Sequence, residues 1–358
     1  NVGICGFGKM GQIRADAIET HGFAQIKSVF DVNIPDDCKY PVANSIDEII
    51  EDPDIDIVFL CLPNYFNKPK TIMALKAGKH VFCEKPPAFS AQDVRDIQEV
   101  ERASGKVLMY GFNHRQHGAI DKMKSIVDSR KFGSILWMRS RYGKSVDGDY
   151  LNTWRAKKEL AGGGILLDQG IHMLDLLLYL TGKPFDEVHA MVSNMYWKTP
   201  GIEDNVFAIM RNTQTGVTAS VHSTMTQWRH LFSLEVFMER GYIAALHEDF
   251  ERGYMVLNGL KTSSGTYGDE ILTIAQNRTT APAATWEDEE RLTFHIDQSW
   301  AREIELFFDS VQNGAPVKFG SSDQALEVMS LIDMIYEHDL HQAPNLADQL
   351  NMTVKELT

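Results

Sequence analysis

Short apolar runs alternate with helix-length segments over the first third of the chain. They are Val2 to Cys5, Ile26 to Asp31, Ile57 to Leu62, His80 to Cys83 and Val107 to Gly111. Near-continuous hydrophobicity is what strands covered on both faces require, and helix-length spacers are what parallel strands need as crossovers. The pattern predicts an α/β half with a parallel sheet. From Ser90 to Ser104, apolar and charged residues recur at helical spacing, with Ser90 placed to cap the start and Gly105 to end it. That segment reads as a scaffold helix.

Beyond Gly111 the texture changes. A helix-like stretch from Gly118 to Val127 precedes a strand-like run, Ile135 to Tyr142. Further runs occur at Ala190 to Tyr196, Val206 to Arg211, Val217 to His222 and Leu231 to Met238, without regular helices between them. Strands in series predict a mostly antiparallel sheet with helices on one face, an α+β domain whose open face can pair subunits. The division falls at residues 1–117 and 118–358. Leu326, Met329 and Ile332 mark a packing helix from Asp323 to Tyr336. The acidic stretch Glu287 to Glu290 reads as a solvated loop or strand entry. The tail from Ala343 to Thr358 carries no nameable chemistry and would fray or wrap a neighbour.

Composition narrows the classes. A chain of 358 residues is long enough for two cores. With 35 basic and 49 acidic residues the net charge is −14, which argues against nucleic-acid binding. No run approaches the roughly 20 apolar residues of a membrane span. The chain opens at Asn1 without methionine, which leaves room for a trimmed leader. Cys5, Cys61 and Cys83 lie in apolar runs and Cys38 in a loop, so neither a disulfide framework nor a metal cluster is expected, and a reducing cytoplasm is.

Candidate chemistry begins at Gly6-Phe7-Gly8-Lys9-Met10-Gly11, directly after the first apolar run and opening a helix. Glycines there let backbone N–H groups approach a pyrophosphate at a helix N-terminus, where the dipole favours an anion. Asp31, ending the second run, stands where an acid takes a ribose 2′-hydroxyl and repels a 2′-phosphate, and Val32-Asn33-Ile34 supplies no arginine. NAD is favoured over NADP. The first half therefore reads as a Rossmann dinucleotide-binding domain. Leu62, Pro63 and Asn64 leave the third run at the strand end where ligands bind, and Lys85 leaves the fourth, stiffened by Pro86 and Pro87. A lysine beside a cationic nicotinamide loses its proton more readily and can serve as a base.

In the second half, Gly162-Gly163-Gly164 leads into Asp168 and His172 on an apolar helix running through Leu174, Leu177 and Leu180 to Gly182. A spacing of four puts both side chains on one face, where a carboxylate can orient and charge an imidazole. Asp175 lies one turn on. No further ligands suggest a metal. Trp154-Arg155 precedes the glycines. An indole face can pack on a pyranose and a guanidinium can grip a carboxylate or phosphate, although a core tryptophan and a surface ion pair fit equally well. Trp228, Arg229 and His230 are a weaker second candidate.

The glycine turn, Glu84-Lys85-Pro86, Asn113-His114-Arg115 and the Gly162 to His172 stretch, in this order, make the chain resemble the Gfo/Idh/MocA oxidoreductases over nearly its whole length. The resemblance implies a nicotinamide cofactor, a sugar, cyclitol or nucleotide-sugar substrate, and dimers or tetramers built through the open sheet. It makes Lys85, Asp168 and His172 the catalytic set. Gly6, Phe7, Gly8, Lys9, Met10, Gly11, Asp31, Leu62, Pro63, Asn64, Asn67, Glu84, Lys85 and Asn113 would form the cofactor site. Arg115, Trp154 and Arg155, with His114 nearby, would join the catalytic groups on the substrate. Three positions depart from the family pattern: Leu62 where threonine is frequent, and Asn67 and Arg14 where histidine is frequent. The expected reaction is hydride transfer from a secondary alcohol, or its reverse. A dinucleotide-sensing regulator and an NAD-dependent glycosidase are the alternatives on the same fold.

Overall fold

A computed structural model describes residues 1–239, 251–278 and 289–339. By internal contact it divides into two compact units. The first comprises residues 1–121, 152–162 and 296–329; the second comprises 122–151, 163–295 and the residues from Ser330 onward.

The first unit is built on β1 (Val2–Cys5), β2 (Ile26–Phe30), β3 (Ile57–Leu60), β4 (His80–Cys83) and β5 (Leu108–Tyr110), all parallel, in the spatial order β2-β1-β3-β4-β5. The crossovers carry α1 (Lys9–His21), α2 (Ile46–Glu51), α3 (Asn67–Lys76) and α4 (Ala91–Ser104). All five predicted strands form, and β1, β3 and β4 are buried throughout except for half-exposed His80. Ser90 caps α4, accepting from the Asp93 N–H, and left-handed Gly105 ends it.

Because the strands are parallel, every one of them ends on the same edge. That edge therefore collects the segments by which the chain leaves the strands: the glycine turn, Asp31, Leu62 to Asn64, Glu84-Lys85, and Gly111 to Asn113.

Two later segments complete this unit. A short stretch containing α6 (Lys158–Ala161) is tied down by the buried Asn64 carboxamide, which donates to the Ala161 carbonyl at 2.8 Å. Helix α8 (Ser299–Asn313) lays Ile304, Phe307 and Phe308 into the core, and the Phe307 ring meets Phe59 and Phe82 edge-on, each at 5.5 Å. A single boundary at 117/118 misses this return. The apolar face of α8 has its partner on the N-terminal sheet, and nothing near it in sequence announces that.

The second unit holds an eight-stranded sheet in the order β13-β12-β11-β10-β6-β9-β8-β7. Its strands are β6 (Ser134–Ser145), β7 (Glu187–Ser193), β8 (Asn205–Arg211), β9 (Thr218–Thr224), β10 (Thr226–Glu239), β11 (Glu251–Asn258), β12 (Glu270–Arg278) and β13 (Glu289–Phe294). Every neighbouring pair is antiparallel except β6 with β9. Alternation along β8 sends Val206, Ala208 and Met210 inward and leaves Phe207 and Ile209 exposed. The inner face is covered by α7 (Ile171–Thr181), nearly all of whose residues are buried.

Two of the crossings between the units fall within helices, α5 (Gly118–Asp128) and α9 (Ser322–Glu337), the latter being the predicted packing helix. Of the acidic stretch, Glu289 and Glu290 open β13, whereas Glu287, Asp288 and the tail from Ala343 lie outside the described residues.

Candidate active site

At the carboxyl edge of the parallel sheet, Gly6 adopts φ +90°, and a Cβ there would lie 2.3 Å from the Cys61 carbonyl oxygen. A side chain is therefore barred by conformation and by space. Gly8 is the N-cap of α1, makes no side-chain cap, and leads into a first turn without acidic residues. The helix start thus offers N–H groups to an anion.

Asp31 is held by two backbone donors, Phe7 N–H at 2.7 Å and Asn33 N–H at 3.0 Å, which fix its carboxylate beside this turn. The Phe7 ring is core, edge-on to Tyr40 at 5.6 Å, so only its backbone faces the turn. Lys9 is exposed and Met10 half-buried. The open cradle at Gly8, the helix start and the fixed acid together fit a dinucleotide.

Several of the residues expected at the cofactor also hold the edge together. Pro63 begins a 3-10 turn, Asn64–Phe66, and the Asn64 amide is the anchor to Ala161 described above. Asn67 is buried and donates to the Pro86 carbonyl at 2.7 Å and the Glu84 carbonyl at 3.3 Å, bracketing Lys85 from the backbone side. A neutral carboxamide thus clamps the turn. Asn113 donates to Ser299 Oγ at 3.0 Å and shares Oδ1 with His114 Nδ1 at 3.0 Å, while Arg115 is buried in the same 3-10 turn.

Trp154 and Arg155 belong to the first unit. The Arg155 guanidinium lies 4.4 Å over the Trp154 ring, so one indole face is already covered.

In the second unit, Asp168 lies on a π-turn, Leu166–Gly170, closed by Ile171 N–H reaching back to Leu166 O. His172 lies in the first turn of α7 and is buried. The regular helix predicted across this stretch is interrupted, and the wider turn resets the angle between Asp168 and His172. Glu203, which no sequence motif singles out, anchors the lead into this turn. Its carboxylate accepts from Gly164 N–H at 2.7 Å, Leu166 N–H at 3.0 Å and Tyr336 Oη at 2.9 Å, and its own carbonyl accepts from Ile165 N–H at 3.0 Å. It thereby supplies acceptors to donors that a helix start leaves over, and burial pushes its carboxyl up from the ordinary range.

The surroundings of Asp168 are equally silent in the sequence. Lys144 Nζ stands 3.3 Å from its Oδ2. The nearby phenols of Tyr142 and Tyr267, whose rings meet at 5.3 Å, are both raised, by burial first, with the Asp168 charge also contributing. His230 packs edge-on against Tyr267 at 4.8 Å and is lowered by burial and by Lys144. Trp228 remains 81% exposed, with Arg229 at 4.8 Å over its ring. These groups lie on β6, β10 and a loop far apart in sequence, and only strand register brings them together. Among the described residues no group of three His, Cys, Asp or Glu side chains could hold a metal, and no helix is long and apolar enough to cross a membrane.

A glycine-lined helix start on a parallel sheet, with a large mixed sheet in the second unit, is the arrangement of a Rossmann-type dinucleotide-binding half followed by an α+β domain. Residues 1–112 match the family profile described as "Oxidoreductase family, NAD-binding Rossmann fold", and residues 120–244 that described as "GFO/IDH/MocA C-terminal domain". The chain belongs to the Gfo/Idh/MocA family.

It is 32% identical to the 1,5-anhydro-D-fructose reductase of Ensifer adhaerens over 51% of this chain and 54% of that one. It is 27% identical to the myo-inositol 2-dehydrogenase of Thermotoga maritima over 92% and 93%. The chain spans about half or less of the length of several other curated relatives it matches. A 3-ketoreductase from Actinomadura kijaniata, solved with NADP and TDP-benzene, superposes with a TM-score of 0.77 at 21% identity, covering 94% of this chain and 97% of that one.

Proposed function

We propose that the protein is a dehydrogenase or reductase that moves a hydride between NAD and a secondary alcohol of a sugar, cyclitol or nucleotide-sugar. The observation that carries this reading is the single sheet edge on which the glycine turn, Asp31 and Glu84-Lys85 all emerge. The bound nicotinamide supplies the hydride acceptor or donor.

Protein groups handle the proton. Lys85 or His172 takes the hydroxyl proton during oxidation and returns it during reduction, and the protonated partner polarises the oxygen. Asp168 orients His172 and stabilises its charged form. Arg115, Trp154 and Arg155 contribute to substrate binding. The exposed face of the large sheet, with Phe207, Ile209 and Met191 at its surface, is the proposed subunit contact. The four free cysteines suit a reducing cytoplasm, and burial keeps the Cys83 thiol protonated, its pKa pushed up to about 12.

An absorbance screen for NADH formation from NAD with inositols, aldoses, uronic acids and nucleotide sugars tests the reading. Turnover on one class supports it; NAD binding without turnover on any compound points to a regulator or to an NAD-dependent glycosidase, the latter marked by aglycone release without net NADH. For the cofactor, NADH should bind at least about tenfold more tightly than NADPH by fluorescence titration, because fixed Asp31 repels a 2′-phosphate. Asp31→Ala should narrow that gap. Equal affinities in the unmodified protein would overturn the preference.

A further inference from the structure

Behind the Glu84-Lys85 turn, Arg14 of α1 is completely buried. Its Nε donates to Glu84 Oε1 at 2.7 Å, and its Nη2 lies 2.8 Å from Glu303 Oε2 of α8, an ion-pair contact rather than an in-line hydrogen bond. The guanidinium plane rests against Phe82 at 4.3 Å and Trp300 at 4.8 Å. Room for this group comes from Gly111, where a Cβ would meet Glu84 Oε2 at 2.8 Å and Arg14 Nη2 at 3.1 Å.

Only a planar fork of donors can face two carboxylates on different elements while stacking on rings; lysine or histidine cannot do all of this. Such a buried charge cluster is seldom the most stable filling for a core, since well-packed apolar groups are often as good or better. Its placement matters more than its stability. Glu84 directly precedes Lys85, and its backbone is already clamped by Asn67. The groups facing the Glu84 carboxylate are Arg14 from α1, Cys61 after β3 and Cys83 from β4, with Glu303 beyond Arg14; burial holds both thiols protonated.

We propose that Arg14 is a positioning residue for Lys85, acting by holding the Glu84 carboxylate away from the neighbouring ammonium. This rests on the reading of Lys85 as a proton-transfer group. In the absence of Arg14 the freed carboxylate swings toward Lys85, which then retains its proton.

The test has two arms. Pulse acetylation with acetic anhydride, quantified by mass spectrometry against exposed Lys9, measures Lys85 reactivity without substrate. Arg14→Gln should lower Lys85 labelling at least about threefold, and Arg14→Lys, which keeps the charge but loses the fork, should lower it less. In the second arm, turnover with NAD and the polyol found in the screen is compared in a double-mutant cycle with Lys85→Ala. Arg14→Gln should cost at least about tenfold in kcat with little change in KM for NAD, and nothing further when Lys85 is absent.

Unchanged Lys85 labelling in folded Arg14→Gln overturns the inference, as does an equal loss of kcat in both backgrounds. Normal turnover of Lys85→Ala alone sinks the proton-transfer reading instead, while the labelling arm still decides what Arg14 does. If Arg14→Gln fails to fold, Arg14→Lys carries the decision, and labelling equal to that of the unmodified protein overturns the inference.

Discussion

Lys85→Ala is expected to lower turnover by about 10²- to 10⁴-fold, the range for removing a positioned acid or base. The loss should fall on kcat, with NADH affinity within about threefold of the unmodified protein. The reason is where the residue sits. Asn67 holds the carbonyls on both sides of Lys85, and Arg14 holds the preceding side chain, so shortening Lys85 leaves the turn in place. The glycine turn and Asp31 are untouched by the change, so the proposed pyrophosphate and ribose contacts stay in place. Steady-state kinetics beside a fluorescence titration check both halves of the statement. Turnover within about threefold of normal would remove Lys85 from the proton path and leave His172 as the acid–base candidate.

Gly164→Ala should be damaging by another route. A Cβ at this position would lie 2.0 Å from the Glu203 carbonyl oxygen and 2.6 Å from its nitrogen, both backbone atoms with nowhere to go. Overpacking of this kind typically costs about 1–3 kcal/mol, occasionally more. Moreover, Glu203 is the acceptor for the N–H groups of Gly164, Ile165 and Leu166, so pushing it away loosens the lead into the π-turn that carries Asp168. A displacement of about 1 Å at a reacting group can cost about 10²-fold in rate. The expected result is a lower midpoint of thermal unfolding together with a kcat reduced at least about tenfold. Glycine-to-alanine at exposed Gly148, where a Cβ meets nothing within 4 Å, is the matched control. Unaltered melting and kcat in Gly164→Ala would mean that Glu203 does not hold this turn.

The parts of the fold that are legible in the chain are those encoded locally. Buried parallel strands advertise themselves as apolar runs, and the helix of residues 91–104 carries its own cap and stop in Ser90 and Gly105. The glycine turn with Asp31 is equally readable, because its chemistry depends on a short strand–turn–helix unit and one residue at the end of the next strand. What escapes depends on partners distant in sequence. Glu203 looks like any acidic residue until the connection between β7 and β8 sets it against Gly164. Lys144 and Tyr267 meet Asp168 only through the sheet. Arg14 shows in the sequence only as a departure from the family pattern, since the carboxylates that bury it lie at positions 84 and 303. The π-turn is invisible for a related reason: spacing alone assumes a regular helix, and the close approach of Gly170 to Ser223 depends on a strand more than fifty residues away.

The return of α8 to the N-terminal sheet bears on how the molecule is made. A ribosome releases the five parallel strands early, but Phe59, Phe82 and Arg14 must wait for residues 303–308 before their surroundings are complete. Nearly two hundred residues, including the whole second sheet, emerge between Tyr110 and Ile304, at about 5–20 residues per second. During that interval the half-built sheet exposes two aromatic rings and an arginine awaiting one of its two carboxylates. Nascent chains of this protein are therefore expected to need shielding until synthesis passes α8, and their maturation to be slowed by contacts between residues so far apart along the chain.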